Sequence, residues 1–273
     1  MAAADEEEDL MRFAVQENLV PGNSFREKIE NLQSFGYEGV ELRGDGLAAR
    51  IGEVRRVLKD TGVTATCICG GYKFGLLFPD KDERAQVRQE IRSLLSLAGE
   101  VGAEGVIIVP IFGAPRLPDL SPWRTVETVE EELLVEQLAE LAEYAGTQGT
   151  KLILEPLNRY ETHFLRRVHQ AVAICARVGS PHITVLADLF HMNIEEVSIP
   201  DALREAREWL GYVHLADSNR LLPGMGHTDF SAAFAALKEI GYQGWMSLEC
   251  GVPEGVGEAL ARSLRFMQSQ LPN

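Results

Sequence analysis

The segment KLILEP, residues 151–156, is a short apolar run that ends beside a carboxylate, and three runs of the same kind follow it. They are ITVLAD at 183–188, GYVHLAD at 211–217 and WMSLEC at 245–250. Short runs of apolar and β-branched residues are typical of buried strands. Each of these four strands is predicted to carry an acidic or imidazole side chain near its C-terminal end.

Four similar runs precede them, and together the eight predict the fold. The earlier runs are RFAVQ at 12–16, GVELR at 39–43, TATCIC at 64–69 and GVIIVP at 105–110. The eight starts lie 25 to 46 residues apart, and a strand with its crossover helix needs about 30 residues. The segments between them, such as residues 200–210, carry apolar residues at helical spacing. We therefore predict one (β/α)8 TIM barrel over residues 1–273, with an acidic tail at 1–10.

The composition excludes several classes of protein. Hydrophobic residues make up 45% and charged residues 25% of the chain, as in ordinary folded globular proteins. The 41 acidic and 26 basic residues give a net charge of −15, which disfavours nucleic acid and anionic membrane surfaces as partners. Neither a signal peptide nor a membrane span is evident, so we expect a cytoplasmic protein.

Candidate metal ligands lie near the ends of the last four strands. In a TIM barrel the active site lies at the C-terminal ends of the strands, where this sequence places Glu155, Asp188, His214 and Glu249. Three carboxylates and one imidazole suit Mn²⁺, with Mg²⁺ or Co²⁺ as alternatives, whereas a structural zinc site would call for thiolates. A single histidine is more often part of a core, but four such side chains on successive strands favour a metal site.

Further polar residues follow the same strands. They are Asn158, Arg159, Glu161, His191, Asn193, Arg220, His227 and Asp229. The two arginines have an alternative interpretation as structural ion-pair partners for the excess carboxylates. Long connections at 70–81, 110–124 and 218–230 contain aromatic and basic residues and are predicted to form a wall around a substrate.

Four strings in the second half resemble a known family. LEPLNRYET at 154–162, ADLFHMNIEE at 187–196, GYVHLADSNRLLPGMGHTDF at 211–230 and WMSLEC at 245–250 resemble the ketose 3-epimerases of the D-tagatose and D-psicose (allulose) type. These enzymes belong to the xylose-isomerase-like TIM barrels. The resemblance is strong over 151–251; in the first half it is carried by CICGGYKFGLLFPDKDER at 67–84.

The resemblance assigns roles to individual residues. It implies that Glu155, Asp188, His214 and Glu249 bind the metal and that the two glutamates also form the acid–base pair. A second set is implied to hold the O1 to O3 end of a ketose: Glu161, His191 and Arg220.

The chemistry of the residues leads to the same function. Removal of the proton beside a ketone leaves an enediolate, whose charge a divalent ion stabilises. Two carboxylates on opposite faces of that carbon can remove and return the proton in turn. We therefore expect metal-dependent epimerisation of a ketose, or of a closely related keto sugar, at C3. The partner would be a small sugar, and by analogy the enzyme would be a homodimer or homotetramer.

Other functions remain open at this stage. An aldose–ketose or hydroxypyruvate-type isomerase uses the same fold and metal, and so does a lyase or deglycosylase subunit that acts on a 3-keto sugar. The 3-epimerases that the chain resembles usually carry aromatic residues in and just after the first strand, which wall the far end of the sugar. Here that stretch reads RFAVQENLVPGNSF at 12–25 and contains no tryptophan. A DNA-repair endonuclease of this barrel type is disfavoured by the charge and by the six histidines. A non-catalytic binding barrel would not need both glutamates.

Overall fold

Eight parallel strands close into a barrel in sequence order in a computed structural model of the chain, which describes residues 11–253 and 255–272. The strands are β1 (Arg12–Gln16), β2 (Gly39–Arg43), β3 (Thr64–Cys69), β4 (Gly105–Ile108), β5 (Lys151–Leu154), β6 (Ile183–Asp188), β7 (Leu210–Leu215) and β8 (Trp245–Leu248). The barrel closes where β8 pairs with β1, for example at Met246 and Phe13. This confirms the predicted fold, and the predicted tail at 1–10 lies outside the described residues.

Helices follow the strands and cover the outside of the barrel. They are α1 (Phe25–Ser34), α2 (Leu47–Thr61), α3 (Lys81–Val101), α4 (Val126–Thr147), α5 (Val168–Val178), α6 (Leu189–Glu195), α7 (Ile199–Ala206), α8 (Phe230–Glu239) and α9 (Val256–Ser269). None of these helices is long and apolar enough to cross a membrane.

Two helices differ from the prediction. Helix α6 was not predicted because its two turns are too short to show a helical period; it forms directly after Asp188, whose carboxylate accepts from the Phe190 N–H at 2.7 Å. The helix predicted over 200–210 ends at Ala206, because Leu210 already pairs with Val185 as the first residue of β7.

Strand alternation divides the core into two layers. Side chains such as Val40 and Leu42 pack outward against the helices. The barrel interior is filled by a separate cluster that includes Cys67, Ile107 and Tyr212. Because alternate residues of a strand point to the same face, the inward-facing residues nearest the C-terminal ends project into the mouth of the barrel.

Candidate metal centre and active site

The four predicted ligands converge in the mouth of the barrel. Asp188 ends β6 and His214 lies in β7, while Glu155 and Glu249 directly follow β5 and β8. Each offers one ligand atom, and these atoms all lie within 4.8 Å of one another. The strand ends therefore bring together side chains that are up to 94 residues apart in the sequence.

Two polar atoms at this point have no hydrogen-bond partner in the described part of the chain. They are His214 Nδ1 and Glu155 Oε1, both fully buried and 3.4 Å apart. His214 Nδ1 also lies 3.3 Å from Glu249 Oε2 and 3.9 Å from Asp188 Oδ2. Buried polar atoms in native proteins are normally satisfied, and a divalent cation would satisfy both at once. The four side chains thus fit a metal site of oxygen-rich type.

Surrounding charges act differently on the two glutamates. Burial raises the pKa of Glu155, and the nearby His214 offsets this only in part. Burial also raises the pKa of Glu249, but His214 and Arg220 outweigh it and bring that pKa below its usual range. For His214, burial lowers the pKa, while the carboxylates of Glu41 and Glu249 raise it further than burial lowers it. The protein therefore separates the pKa values of two carboxyl groups in one site, as acid–base pairs require.

Arg220 reaches this site from the connection between β7 and α8. Its guanidinium donates to Glu249 Oε2 at 2.8 Å and to Asp188 Oδ2 at 3.3 Å, and it lies 4.6 Å from the centre of the Phe190 ring. Its backbone φ of 60° lies in the left-handed region, which is uncommon for a residue with a side chain. The Gly251 N–H holds this conformation by donating to the Arg220 carbonyl at 2.7 Å.

The buried Asp217 fixes the connection that carries Arg220. Its carboxylate accepts from the backbone N–H groups of Ser218 at 2.7 Å, Gly224 at 2.9 Å and Thr228 at 3.0 Å. Burial raises the pKa of Asp217, but these hydrogen bonds outweigh it and lower the pKa overall. Asp217 was not predicted as a site residue, because its partners are backbone groups that a sequence pattern does not reveal.

His191 and Glu161, the other two predicted substrate-binding residues, lie beside Arg220. His191 Nε2 is 3.2 Å from a guanidinium nitrogen of Arg220, and His191 Nδ1 accepts from the Asn158 N–H at 3.2 Å. The Asn158 side chain donates to Glu161 Oε1 at 2.9 Å. The structure thus brings all three predicted residues together, with the Glu161 side chain 38% exposed towards the mouth.

Other polar residues predicted near the mouth have structural contacts. Arg159 donates to Glu195 at 2.7 Å, which agrees with the ion-pair interpretation. Asp229 caps α8 by accepting from the Ala232 N–H at 2.9 Å.

The connections after β3 and β4 form an aromatic wall. The rings of Tyr72 and Phe74 are 4.6 Å apart, and Phe74 meets Phe112 edge to face at 4.9 Å. Phe112 is 38% exposed and Trp123 is 73% exposed. Of the three long connections predicted to surround a substrate, the one at 110–124 therefore carries exposed aromatic rings.

Sequence reasoning missed two buried polar residues on the other side of the barrel. Glu41 on β2 has no exposed surface, and its Oε2 lies 2.9 Å from His214 Nε2. Gln16 on β1 donates through Nε2 to Glu41 Oε1 at 2.7 Å and to Glu249 Oε1 at 2.9 Å. A charged residue on the inward face of a central strand was the available signal, since GVELR places its glutamate there.

Comparison with known proteins agrees with this geometry. The family model described as "Xylose isomerase-like TIM barrel" matches residues 29–270. The chain belongs to this family. It is 30% identical over 262 residues to the 3-dehydro-D-guloside 4-epimerase of Escherichia coli (strain K12). The aligned residues cover 95% of this chain and 100% of that protein. It is 31% identical over 236 residues to a D-psicose 3-epimerase of Agrobacterium fabrum, covering 83% of this chain and 79% of that protein.

A solved structure extends the similarity to three dimensions. The apo crystal structure of a 3-keto-D-glucoside 4-epimerase from E. coli superposes with a TM-score of 0.87 at 30% identity, covering 95% of this chain and 100% of that one. The resemblance to the sugar epimerases is thereby confirmed, and so is the predicted enzyme class, an isomerase. The predicted cytoplasmic location and homo-oligomer stay predictions.

Proposed function

We propose that this enzyme epimerises a keto sugar at the carbon beside its ketone, with C3 of a ketose as the carbon and Glu155 and Glu249 as the acid–base pair. The observation that carries the proposal is the geometry of the pair: the carboxyl groups of Glu155 and Glu249 converge on one site with Asp188 and His214, with ligand atoms within 4.8 Å of one another. A divalent ion held by these glutamates with Asp188 and His214 would supply a Lewis acid beside the ketone oxygen. Mn²⁺ is the first candidate, followed by Mg²⁺ and Co²⁺.

The two glutamates divide the proton transfer between them. Glu249 stays ionised and removes the proton from C3, and the electron pair of the broken C–H bond moves onto the ketone oxygen. Glu155, which follows β5, delivers a proton to the opposite face of C3. Strands β6 and β7 separate β5 from β8 around the barrel, so the two carboxyl groups can flank one carbon. The reverse reaction exchanges their roles.

The substrate is held by residues beside the ligands. Arg220 and His191 donate to oxygens at the O1 to O3 end of the sugar, and the partly exposed Glu161 accepts from a hydroxyl group. Arg220 remains charged throughout, because its pKa is raised: burial lowers it, but Asp188 and Glu249 outweigh burial. It therefore orients the sugar and does not transfer the proton.

A second candidate is epimerisation at C4 of a 3-keto glycoside. The relative whose whole length is matched bears the name of a 4-epimerase, and the stretch at 12–25, where the 3-epimerases usually carry aromatic residues, contains no tryptophan. The chemistry is unchanged, because C4 of a 3-keto sugar also carries a hydroxyl group beside a ketone. The two candidates differ in the part of the sugar that faces the first four strands.

Proton exchange in D₂O tests the proposal. Free ketoses, phosphorylated ketoses and 3-keto glucosides are incubated with the enzyme and Mn²⁺, and NMR locates the deuterium. We expect deuterium at C3 together with the C3 epimer. Deuterium at C4 of a 3-keto glucoside supports the second candidate. Deuterium at C1 with an aldose product would reject both in favour of an isomerase.

A further inference from the structure

Glu41 has a buried carboxylate that takes no part in the proposed proton transfer. Its Oε2 accepts from His214 Nε2 at 2.9 Å and its Oε1 accepts from the Gln16 amide at 2.7 Å. A fully buried carboxylate costs several kcal/mol of desolvation unless it is paired. Hydrogen bonds from one imidazole and one amide compensate only weakly for the desolvation of this carboxylate. We therefore expect Glu41 to have a functional role at this position.

Gln16 extends this contact to a second ligand. Gln16 and Glu41 are register partners on adjacent strands β1 and β2. The second amide hydrogen of Gln16 goes to Glu249 Oε1 at 2.9 Å, while Glu249 Oε2 lies 3.3 Å from His214 Nδ1 and also accepts from Arg220 at 2.8 Å. The four side chains form one hydrogen-bonded chain across the barrel, in the order His214, Glu41, Gln16, Glu249.

We infer that Glu41 and Gln16 are positioning residues that hold His214 and Glu249 in the geometry for metal binding. Glu41 keeps a proton on His214 Nε2, so that Nδ1 presents its lone pair to the point where Glu155 and Glu249 converge. Gln16 occupies one oxygen of Glu249 and so selects the other one as the ligand. Carboxylates that accept from a ligating histidine are known to orient the ring and raise its basicity. The inference rests on the metal site of the proposed function.

The number of hydrogen-bond acceptors on the Glu41 side chain predicts the effect of the conservative substitution Glu41→Gln. A carboxylate offers acceptors on both oxygens, and Glu41 uses one for each partner. A glutamine side chain of the same shape has one acceptor oxygen and one donor nitrogen. Glu41→Gln therefore forces a donor to face either His214 Nε2–H or the Gln16 amide. One of the two ligands loses its support, whichever way the new amide turns.

The measurement is Mn²⁺ affinity, followed by the EPR signal of free Mn²⁺ during titration of the protein. We expect Glu41→Gln to weaken binding about 10- to 100-fold, the usual effect of removing such a supporting group. Gln16→Met removes the contacts with Glu249 and Glu41 but keeps the hydrogen bond between Glu41 and His214, so it should have the smaller effect. Glu130→Gln is the matched control: Glu130 is equally buried and pairs with His163 Nε2 at 2.7 Å, but it lies on α4. It should lower the melting temperature and leave the Mn²⁺ affinity unchanged.

The outcomes separate this inference from the function on which it rests. A wild-type protein that binds no Mn²⁺ overturns the proposed metal site. A wild-type protein that binds Mn²⁺, with Glu41→Gln and Gln16→Met binding it equally well, overturns the positioning role. If Glu130→Gln weakens Mn²⁺ binding as much as Glu41→Gln, the effect is general destabilisation and the inference fails.

A second readout does not depend on metal. In protein labelled with ¹⁵N at its six histidines, the hydrogen bond from His214 Nε2 to Glu41 should give a slowly exchanging, downfield proton resonance, with Mg²⁺ or without it. His214→Gln identifies the resonance by its loss. We expect it to be lost or shifted upfield in Glu41→Gln and kept in Gln16→Met. An unchanged resonance in Glu41→Gln contradicts the role given to Glu41.

Discussion

The two halves of the barrel have the same architecture but differ in what they place in the mouth. Strands β5 to β8, the ligand half, supply Glu155, Asp188, His214 and Glu249. Strands β1 to β4, the supporting half, supply Gln16 and Glu41, together with the connections that carry the aromatic wall. Under the proposed function, one half would serve the reacting carbon, and the other half would stabilise the ligands and face the rest of the sugar.

This difference explains why the resemblance to known epimerases was strong over 151–251 and faint before it. A metal and an α-hydroxyketone restrict the side chains around them to a few types at fixed strand ends. Hydrogen-bond support and contact with the remote end of a sugar can be achieved by many residue types. The ligand half therefore indicates the reaction, and we propose that the supporting half determines which sugar undergoes it.

Removing the metal should produce the largest effect, because it disables the ligand half as a whole. Dialysis against a chelator should abolish turnover, and added Mn²⁺ should restore it. The melting temperature should also fall, since an ion present at 100 times its Kd stabilises the folded state by about 2.7 kcal/mol. Calorimetry with and without Mn²⁺ checks this. Full turnover in the presence of chelator would show that the reaction needs no metal, and the role given to the ligand half would then be wrong.

Glu249→Gln should have the next largest effect. The amide keeps one oxygen for the metal but cannot take a proton, so formation of the epimer should fall by about 10²- to 10⁴-fold. Glu155 can still exchange the proton on its own face of C3. When the starting ketose is the epimer whose C3 proton faces Glu155, we therefore expect deuterium at C3 of that ketose in D₂O, without its epimer and with nothing at C1.

Metal content must be measured first for this variant, since an empty site would stop the reaction for another reason. Glu161→Gln is a suitable control, because Glu161 is not a predicted ligand and should change KM more than deuterium exchange. An equal fall in epimer formation in both variants, at saturating substrate, would argue against the acid–base pair.

The strands, and the four side chains that converge in the mouth, could be predicted from sequence because they follow local rules. All eight strands were found, since a buried parallel strand is a short apolar run, and each ligand stands at the end of such a run. Glu41 and Gln16 were missed because their function depends on His214 and Glu249, which are 173 and 233 residues away. Helix α6 was missed because one capping side chain, Asp188, starts a helix too short to show a period.

Arg220→Ala should have an intermediate effect, on substrate binding alone. Hydrogen bonds from a charged group contribute about 1.5–3 kcal/mol, so KM should rise by about 10- to 100-fold. Metal content should remain near one ion per chain. Arg159→Ala is the control at the same mouth, since Arg159 pairs with Glu195, and its KM should stay close to the wild-type value. Loss of the metal in Arg220→Ala would show instead that Arg220 supports the ligands Asp188 and Glu249.

Phe112→Ala should have the smallest effect, and it tests whether the supporting half faces the remote end of the sugar. The Phe112 ring packs edge to face on Phe74, a contact worth about 0.5–1.5 kcal/mol, so stability should fall by no more than a few kcal/mol. A four-carbon ketose has its reacting C3 next to its last carbon, so it lacks the remote carbons that we expect to face the aromatic wall. Its kcat/KM should therefore be unchanged in Phe112→Ala, whereas that of a six-carbon ketose should fall a few-fold. Trp123→Ala is the control, because the Trp123 ring is 73% exposed. It shows how much the loss of any surface ring changes kcat/KM. An equal fall in kcat/KM for the four-carbon and the six-carbon ketose would mean that Phe112 acts on the ligand half. The separate roles given to the two halves would then be wrong.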